Sequence, residues 1–397
     1  MALMNQKILV VGGGIAGCSA GIALAAAGHN VRIVEAQAEW RFQSSGIFVY
    51  CNGLACLADL GVLPEILATG YSVAQGRNAY YDHTGAEITQ TFYPTARDGQ
   101  VPAIVGIKRA ELHRVLATRL DALGVSVQLG TTVGKMTEEA GAVDVTLSDR
   151  THDTYDLVLG ADGIRSSLRA MIGIELEPRY TGFGVWRSVH PRPADLGEKI
   201  IMMGPAKRYG IMPISDDRLY TFGTMAEPKG TRFDPATWPD EMRKRFAEFE
   251  GPAAPFLADL GPGSEVLFTA VEEVVLPLPW FRGRVLLIGD AAHASTPFMG
   301  QGGAMAMEDA VVLAQVLGAC DRMDQALELF GTVRQPMCSF VQDASRAVGE
   351  AGANEDIHSL EARNQALAET AQSKVDGFYG RLDTLQAEAA VQIVAKL

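Results

Sequence analysis

Three glycines near the start of the chain are spaced in a way that suits the binding of a phosphate group. The segment GGGIAG spans Gly12, Gly14, Ile15, Ala16 and Gly17 and matches the pattern G-x-G-x-x-G. In this pattern the first glycine permits a tight turn, the second lets the backbone approach a pyrophosphate, and the third lets a helix pack closely on a strand. The phosphate would lie at the helix N-terminus, where unpaired N–H groups favour an anion.

The elements around this turn support the same chemistry. KILVV, at residues 7–11, is typical of a buried strand, and NVRIVEA is typical of a second strand that brings Glu35 to its end. An acidic side chain about 20 residues after such a turn hydrogen-bonds a ribose hydroxyl. A glycine turn that only packs tightly is the structural alternative, but strand, helix and acidic residue together favour a dinucleotide site. The pattern alone does not separate NAD from FAD.

Two later segments place aspartates at the ends of strands. In DTYDLVLGADGIRSSLR a strand at 155–160 precedes Asp162; in GRVLLIGDAAHASTPFMGQGGAMAMEDA a strand at 284–288 precedes Asp290. The carboxyl ends of parallel strands face the ligand crevice, so each carboxylate could bind a polyol hydroxyl. A helix that begins near Gly302 would direct its positive end at the same crevice. An Asp-Gly turn and a helix N-cap are the structural alternatives.

These segments, with GIKRAELHRVL between them and a terminal RQP, resemble the class A flavin-dependent aromatic hydroxylases, typified by para-hydroxybenzoate hydroxylase, over nearly the whole chain. The resemblance implies an α/β fold, with a Rossmann-like FAD-binding domain, an inserted antiparallel β-sheet substrate domain and C-terminal helices. It implies that Glu35 binds the adenosine ribose, Asp162 serves the cofactor and NAD(P)H side, and Asp290 holds the ribityl chain. The other residues it assigns to the cofactor are Arg41, Arg109, Pro297, Gly300, Gly302 and Gly303.

The same resemblance divides the chain into discontinuous domains. The expected FAD-binding domain comprises residues 1–73, 97–180 and 268–350, and the expected substrate-binding sheet comprises 74–96 and 181–267. A hairpin is indicated around residues 83–85, where alternating strands flank a turn. Residues 351–397 are expected to form a C-terminal helical segment of two amphipathic helices, packed on the outside of the domain or, as the second choice, at a dimer contact.

The implied reaction is an NAD(P)H-consuming monooxygenation. NADH or NADPH would bind transiently and reduce FAD, and O2 would react to form a C4a-hydroperoxyflavin that oxygenates a small phenolic or hydroxylated pyridine-type substrate. Three alternatives stay open: a monooxygenase of a larger polycyclic compound, a flavin reductase or dehydrogenase that inserts no oxygen, and a non-enzymatic nucleotide-binding sensor.

The residues on the substrate side are less clear from the sequence. A ring accepts oxygen more readily after its hydroxyl has lost a proton, so a base is expected near the flavin. Some pyridine-hydroxylating relatives have a histidine where this chain has Phe48, which cannot accept a proton. The candidates that could face the substrate are Tyr50, Arg77, Arg187, His190, Tyr209, Tyr220, Met225 and His293. His293 is more typical of a residue that supports the cofactor loop, and Asn52 of a structural residue.

Composition excludes several other classes of protein. The net charge of −13 argues against nucleic acid or an acidic membrane surface as the main partner. The five cysteines form neither a CxxC pair nor a Cys/His cluster, which indicates no structural metal and a reducing, cytoplasmic environment. The expected partners are therefore a small aromatic substrate and O2, and the expected assembly is a monomer or a homodimer.

Overall fold

The computed structural model describes residues 2–40, 45–139, 141–353 and 356–396. Arg41, expected at the cofactor, lies outside the described residues. The strands are β1 (Lys7–Val11), β2 (Asn30–Glu35), β3 (Gly46–Tyr50), β4 (Tyr71–Ser72), β5 (Arg77–Asp82), β6 (Glu87–Phe92), β7 (Ile104–Lys108), β8 (Ser126–Leu129), β9 (Val133–Glu139), β10 (Ala142–Leu147), β11 (His152–Tyr155), β12 (Leu157–Gly160), β13 (Arg179–Pro191), β14 (Lys199–Met203), β15 (Lys207–Pro213), β16 (Arg218–Ala226), β17 (Val266–Glu273), β18 (Phe281–Arg282) and β19 (Val285–Leu287).

The α-helices lie between and after these strands. They are α1 (Ile15–Ala26), α2 (Cys51–Asp59), α3 (Leu63–Thr69), α4 (Arg109–Ala122), α5 (Ser167–Met171), α6 (Trp238–Arg245), α7 (Ala254–Asp259), α8 (Asp290–His293), α9 (Gly302–Ala319), α10 (Met323–Ala353) and α11 (Leu360–Val394). None of the helices within the described ranges is both long enough and apolar enough to cross a bilayer.

A six-stranded sheet forms the core of the FAD-binding domain. Its order is β18-β19-β12-β1-β2-β8, and every pair except β18–β19 is parallel. The central residues Ile8, Leu9 and Val10 are completely buried because the sheet is covered on both faces, as a continuous apolar strand requires. This arrangement confirms the α/β fold with its first β1-α1-β2 unit.

A seven-stranded sheet forms the second domain, in the order β17-β13-β16-β15-β14-β5-β6. Its neighbours are antiparallel apart from the β14–β5 pair, through which the early hairpin joins the later insert. The expected hairpin is therefore part of this sheet. Strand β13 begins at Arg179 and β17 ends at Glu273, so the sheet extends beyond the expected limits at 181 and 267 on both sides.

The two faces of this sheet have different neighbours. Side chains alternate along each strand, so Tyr209 and Trp186 point to one face, where they pack with Phe246 and other residues of an apolar cluster. We call this the outer face. Tyr220 points to the other, the inner face, and lies against β3, where a Cβ on Gly46 would come within 2.5 Å of the Tyr220 side chain. The inner face therefore packs against the FAD-binding domain.

The C-terminal segment differs from the expectation of two helices, because α11 is one helix of 35 residues. Gly377 and Gly380 lie in its middle, and the cost of glycine in a helix, about 1 kcal/mol each, does not end it. Packing against α10 stabilises the helix and offsets that cost, because Phe378 stacks on Phe340 of α10 with ring centroids 5.3 Å apart. The helix also covers β6. The Phe92 N–H donates to the side-chain oxygen of Gln372, and the side-chain amide of Gln372 donates to the Phe92 carbonyl oxygen.

Candidate active site

The turn between β1 and α1 has the geometry that the three glycines predict. Gly12 has a φ of +106°, which favours glycine. A Cβ on Gly17 would lie 1.8 Å from the Gly12 carbonyl oxygen, so helix and strand can approach this closely only without a side chain there. Gly14 caps α1 with no side-chain hydrogen bond, and a Cβ there would meet no atom within 4 Å. The space beside Gly14 is therefore open, as the approach of a pyrophosphate to the N-terminus of α1 requires.

Glu35 lies beside this turn. Its Oε2 accepts a 2.7 Å hydrogen bond from the Gly13 N–H and its Oε1 accepts one from the Gln37 N–H. His113 of α4 reaches the same turn, with its Nε2 2.6 Å from the Gly13 carbonyl oxygen. The carboxylate is thus held at the end of β2, close to the helix N-terminus where a dinucleotide would pass.

The Asp162 carboxylate accepts hydrogen bonds at the start of α5, whose N-cap residue is Ser166. Its Oδ1 accepts from the Ser166 hydroxyl, and its Oδ2 accepts from the N–H groups of Ser167 and Leu168 and from the Ser167 hydroxyl. These are the free donors at the start of α5, which a carboxylate satisfies well. The hydrogen bonds thus give Asp162 a structural role at the start of α5, and its expected contact with the cofactor stays a prediction.

Asp290 begins α8 at the cleft. It follows Gly289, whose φ of +59° turns the chain at the end of β19, and its side chain is exposed. Desolvation by the surrounding protein raises the pKa of Asp290, while the charges of His293 and Arg109 lower it. The charge of Arg109, at the start of α4, thus acts on the Asp290 carboxyl although the two residues are distant in sequence.

The loop before α9 carries the other expected cofactor residues. Pro297 opens a 3-10 turn, Gly300 has a φ of +65°, and Gly302 and Gly303 form the first turn of α9, which no side chain caps. A Cβ on Gly300 would lie 3.0 Å from the Tyr50 ring, so the loop is in contact with the start of α2. The uncapped amides of α9 form a positive helix end at the cleft.

A buried network holds this loop from behind, and we call it the Arg334 network. The Arg334 guanidinium donates to the Asp309 and Glu308 carboxylates at 2.8 and 3.0 Å. Asp309 also accepts from the Gly289 N–H and lies 2.7 Å from the His293 Nε2. Asn52 connects the network to the loop by donating to Glu308 and to Gln301. Asn52 thus has the structural position that its type suggests.

The charges of the Arg334 network shift the pKa of His293. Burial alone would lower its pKa, but Asp309 and Cys338 raise it well above the ordinary value. Burial alone would raise the pKa of Asp309, but the charges of His293 and Arg334 lower it to about 2. These charges favour the protonated form of His293, which does not accept a further proton. His293, Asp309 and Cys338 also bring ligand atoms within 4.8 Å of one another, but the Arg334 cation bonded to Asp309 opposes a metal ion there.

The inner face of the seven-stranded sheet presents an aromatic wall, formed by Phe48, Tyr220 and Phe222. The Phe48 ring of β3 meets Tyr220 edge-on at 5.8 Å and Phe222 at 5.6 Å between centroids. Phe48 and Phe222 are only half-buried. Such a wall can hold a flat aromatic ring by stacking and edge contacts.

Sequence reasoning did not identify a buried lysine beside this wall. Lys199 of β14 is 4% exposed, and its Nζ donates to the hydroxyls of Tyr50 at 3.0 Å and Tyr93 at 3.2 Å. Its ammonium lies 5.4 Å from the Phe48 ring centroid. We call Lys199, Tyr50, Tyr93 and the adjacent Tyr379 the lysine cluster. A lysine heading the apolar run KIIMM resembles a solvent-facing strand end, so nothing local in the sequence reveals its burial.

The structure separates the other substrate-side candidates. Tyr50 belongs to the lysine cluster, Tyr220 to the aromatic wall, and Arg187 pairs in register with Phe222 on the inner face. Side chains along a strand point alternately to its two faces. On their strands, Tyr209, His190 and Met225 each lie an odd number of positions from a residue of the inner face, so all three point to the outer face. Arg77 forms an ion pair with Glu198 at 2.9 Å. The inner-face residues are therefore the ones that remain near the cleft.

Comparison with known proteins agrees with this geometry. A family described as an FAD binding domain matches residues 5–344. The 2-heptyl-3-hydroxy-4(1H)-quinolone synthase of Pseudomonas aeruginosa is 33% identical over 98% of this chain and 100% of its own. The FAD-dependent urate hydroxylase of Klebsiella pneumoniae is 33% identical over 96% and 98%. The crystal structure of Klebsiella pneumoniae HpxO with FAD and uric acid superposes with a TM-score of 0.84 at 31% identity, covering 96% and 97%.

These matches span nearly the whole chain, and they define an enzyme that binds FAD and uses it for monooxygenation. The chain belongs to the FAD-binding family of flavin-dependent monooxygenases. The resemblance to class A aromatic hydroxylases is confirmed, as are the fold class and FAD as the cofactor.

Proposed function

We propose that this enzyme is an NAD(P)H-consuming monooxygenase that hydroxylates a hydroxylated N-heteroaromatic ring. The observation that carries the proposal is the aromatic wall of Phe48, Tyr220 and Phe222, which stands beside polar groups of the lysine cluster. Aromatic rings beside polar groups are the surroundings that suit a flat ring with a polar substituent. The names of two relatives support the nitrogen in the ring, because a quinolone and urate are both N-heteroaromatic compounds.

The residues around the cleft fit FAD. Glu35 would bind the adenosine ribose, the amides after Gly14 would bind the pyrophosphate, and Asp290 would bind the ribityl hydroxyls. The uncapped N-terminus of α9, at Gly302 and Gly303, would stabilise negative charge on the reduced isoalloxazine. Bound FAD supplies the reaction with NAD(P)H and O2, for which side chains have no equivalent chemistry.

The surrounding protein would exclude water and hold the ring. Phe48 and Phe222 would contact the faces of the substrate, and Arg187 on the same sheet face could pair with an acidic substituent. Arg187 donates to Thr269 and therefore already has one fixed hydrogen bond that would orient it. Pro297 and Gly300 would close the pocket on the flavin side.

The first test addresses the cofactor with a pair of glycine variants. We expect Gly14→Ala to fold normally, since its Cβ meets no atom within 4 Å, but to retain less FAD after gel filtration. Gly17→Ala is the matched contrast, because its Cβ would meet backbone at 1.8 Å and should lower the unfolding temperature as well. Equal FAD content in Gly14→Ala and wild type would contradict the assignment of the pyrophosphate to this turn.

The second test addresses the substrate. FAD-loaded enzyme is assayed for NADH and NADPH oxidation with 3-hydroxypyridine, 4-hydroxyquinoline, 4-hydroxybenzoate and a tricyclic phenol. Products are then analysed by mass under ¹⁸O2. We expect a hydroxypyridine or hydroxyquinoline to accelerate coenzyme oxidation and to gain one labelled oxygen atom. If only the phenol or the tricyclic compound gained labelled oxygen, the proposed class of ring would be wrong. Coenzyme oxidation without a labelled product would indicate a reductase.

A further inference from the structure

Lys199 is buried without an acidic partner. Among the described residues no carboxylate forms an ion pair with it, and Glu198, its neighbour in the chain, pairs with Arg77 instead. The ammonium has two hydroxyls and the rings of Phe48, Tyr50 and Tyr93 around it but no carboxylate. The rings favour the charged form, but the cost of burying an unpaired charge favours the neutral amine. Burial lowers the pKa of Lys199 to about 7. The group can therefore exchange a proton near neutral pH.

The surroundings of Lys199 contribute titratable groups from four elements. Tyr50 comes from β3, Tyr93 follows β6, Tyr80 lies on β5 and Tyr379 on α11. Burial raises the pKa of each of these tyrosines, so all four are protonated at neutral pH. The lysine amine is therefore the group in the cluster that changes its charge between pH 6 and 8.

The location connects this group to the pocket. The Tyr50 ring touches Gly300 of the cofactor loop, and Lys199 lies against Phe48 of the aromatic wall. Tyr93 is half-buried, and its ring is 5.1 Å from that of Tyr50. A hydroxyl group of a ring held by the wall would thus be near tyrosine hydroxyls that are already bonded to the amine.

We propose that Lys199 is the terminal acceptor of the proton that the substrate ring loses before oxygen transfer, by way of the tyrosine hydroxyls that it contacts. The ring O–H or N–H bond breaks, and its proton goes to the Tyr50 or Tyr93 hydroxyl. That hydroxyl passes its own proton to Lys199 Nζ. The electron pair stays on the ring, which becomes the electron-rich anion, and the new ammonium balances its charge. The inference rests on the proposed hydroxylation.

The main experiment compares three variants of the FAD-loaded enzyme with the best ring of the panel. Lys199→Met removes the amine and keeps the shape of an apolar side chain. Lys199→Arg keeps a cation that does not release its proton. Tyr209→Phe is the control, because Tyr209 is a buried tyrosine on the outer face of the same sheet.

We expect kcat/KM of the wild type to rise with pH through about 7 and then to level, since the neutral amine is the active form. Lys199→Met and Lys199→Arg should both lose about 10²-fold or more at pH 8 and should lack this ionisation, as expected for a lost proton acceptor. Their activity should recover toward high pH, where the ring ionises in water. Tyr209→Phe should keep the wild-type profile. A Lys199→Arg variant with wild-type kcat/KM would overturn the proposal, because a fixed positive charge would then suffice.

An independent measurement separates this inference from the proposed function. In protein labelled with ¹³C-lysine, the Cε signal missing from Lys199→Met reports the ionisation of Lys199 without any substrate. A midpoint near 7 is expected, and a midpoint above 9 would overturn the proposal whatever the substrate is. If none of the rings accelerates coenzyme oxidation by the wild type, the proposed function fails, and the inference that rests on it falls too. A ring that turns over equally well in wild type and Lys199→Met would overturn only the role of the lysine.

Discussion

Two buried cations in this protein have opposite surroundings. Arg334 is bonded to the carboxylates of Glu308 and Asp309, whereas Lys199 has two tyrosine hydroxyls and no acidic partner among the described residues. A guanidinium stays charged in proteins, and the two carboxylates offset the cost of burying it, whereas an ammonium buried without a carboxylate loses its proton more readily. Comparing the two shows that a buried cation can serve as a fixed structural element or as a group that titrates, depending on its chemical type and its partners.

The largest change in stability is expected when the Arg334 cation is removed. Arg334→Met leaves Asp309 and Glu308 buried without their main partner, and we expect it to lower the free energy of unfolding by about 3–5 kcal/mol. FAD content should fall as well, because Asp309 holds the Gly289 N–H behind the cleft. Chemical denaturation and the flavin absorbance of the purified protein measure both effects. Arg322→Met, which removes an exposed arginine paired with Asp324, is the control and should change stability by less than about 1 kcal/mol.

The second variant should act in the opposite direction. The pKa of Lys199 is lowered to about 7 on folding, so burial of the lysine destabilises the protein fully below pH 7 and progressively less between pH 7 and about 10, where the unfolded chain binds more protons than the folded one. Lys199→Met should therefore raise the free energy of unfolding by about 4 kcal/mol at pH 7. The gain should shrink as pH rises toward about 10, where the unfolded lysine also loses its proton. A destabilised Lys199→Met at pH 7 would contradict the contrast with Arg334.

A third prediction concerns acid. The pKa of Asp309 is lowered to about 2 on folding, so its stabilisation is complete above its unfolded pKa and is lost as pH falls toward 2. Relative to Asp309→Asn, the wild type should lose about 1 kcal/mol by pH 3 and about 2 kcal/mol by pH 2. Urea denaturation over this range measures the loss. Lys199 should not contribute to the change of the free energy of unfolding with pH over this range, since it is protonated in both the folded and the unfolded state. A pH dependence that disappears in Lys199→Met would contradict the contrast between the two cations.

The smallest expected effect is a shift within the lysine cluster. Tyr50→Phe removes a hydroxyl that accepts from the Lys199 ammonium, so the pKa of Lys199 should fall further, by about 1 unit or less. Titration of the labelled Lys199 Cε signal detects it. Tyr209→Phe, on the outer face, should leave the midpoint where it is in the wild type. Equal shifts in both variants would mean that general packing, rather than the hydrogen bond, sets this pKa.

Local sequence patterns predict the backbone elements on the cofactor side. The glycine turn needs only neighbours in the chain, because Gly12, Gly14 and Gly17 shape the start of one helix. Strand β12 and the start of α9 are also defined by short contiguous segments. Asp162 shows the limit of this reasoning, since the same Asp-Gly sequence suits a ligand contact and a helix cap, and its hydrogen bonds match the cap.

The substrate side depends on pairings that the sequence does not display. Which face Tyr209 or Tyr220 occupies follows from strand register, and a shift of one residue would exchange them. Lys199 becomes buried because β14 pairs with the distant β5 and because β3 of the other domain approaches it. The union of two helices into α11 likewise depends on packing against α10.

The amide of Gln372 takes the place of a strand at the β6 edge, since it donates to and accepts from the backbone of Phe92 as a neighbouring strand would. This closes one margin of the seven-stranded sheet to strand addition, which is how exposed sheet edges recruit other chains. Growth of this sheet by a second copy of the chain would therefore have to begin at β17 on the opposite margin.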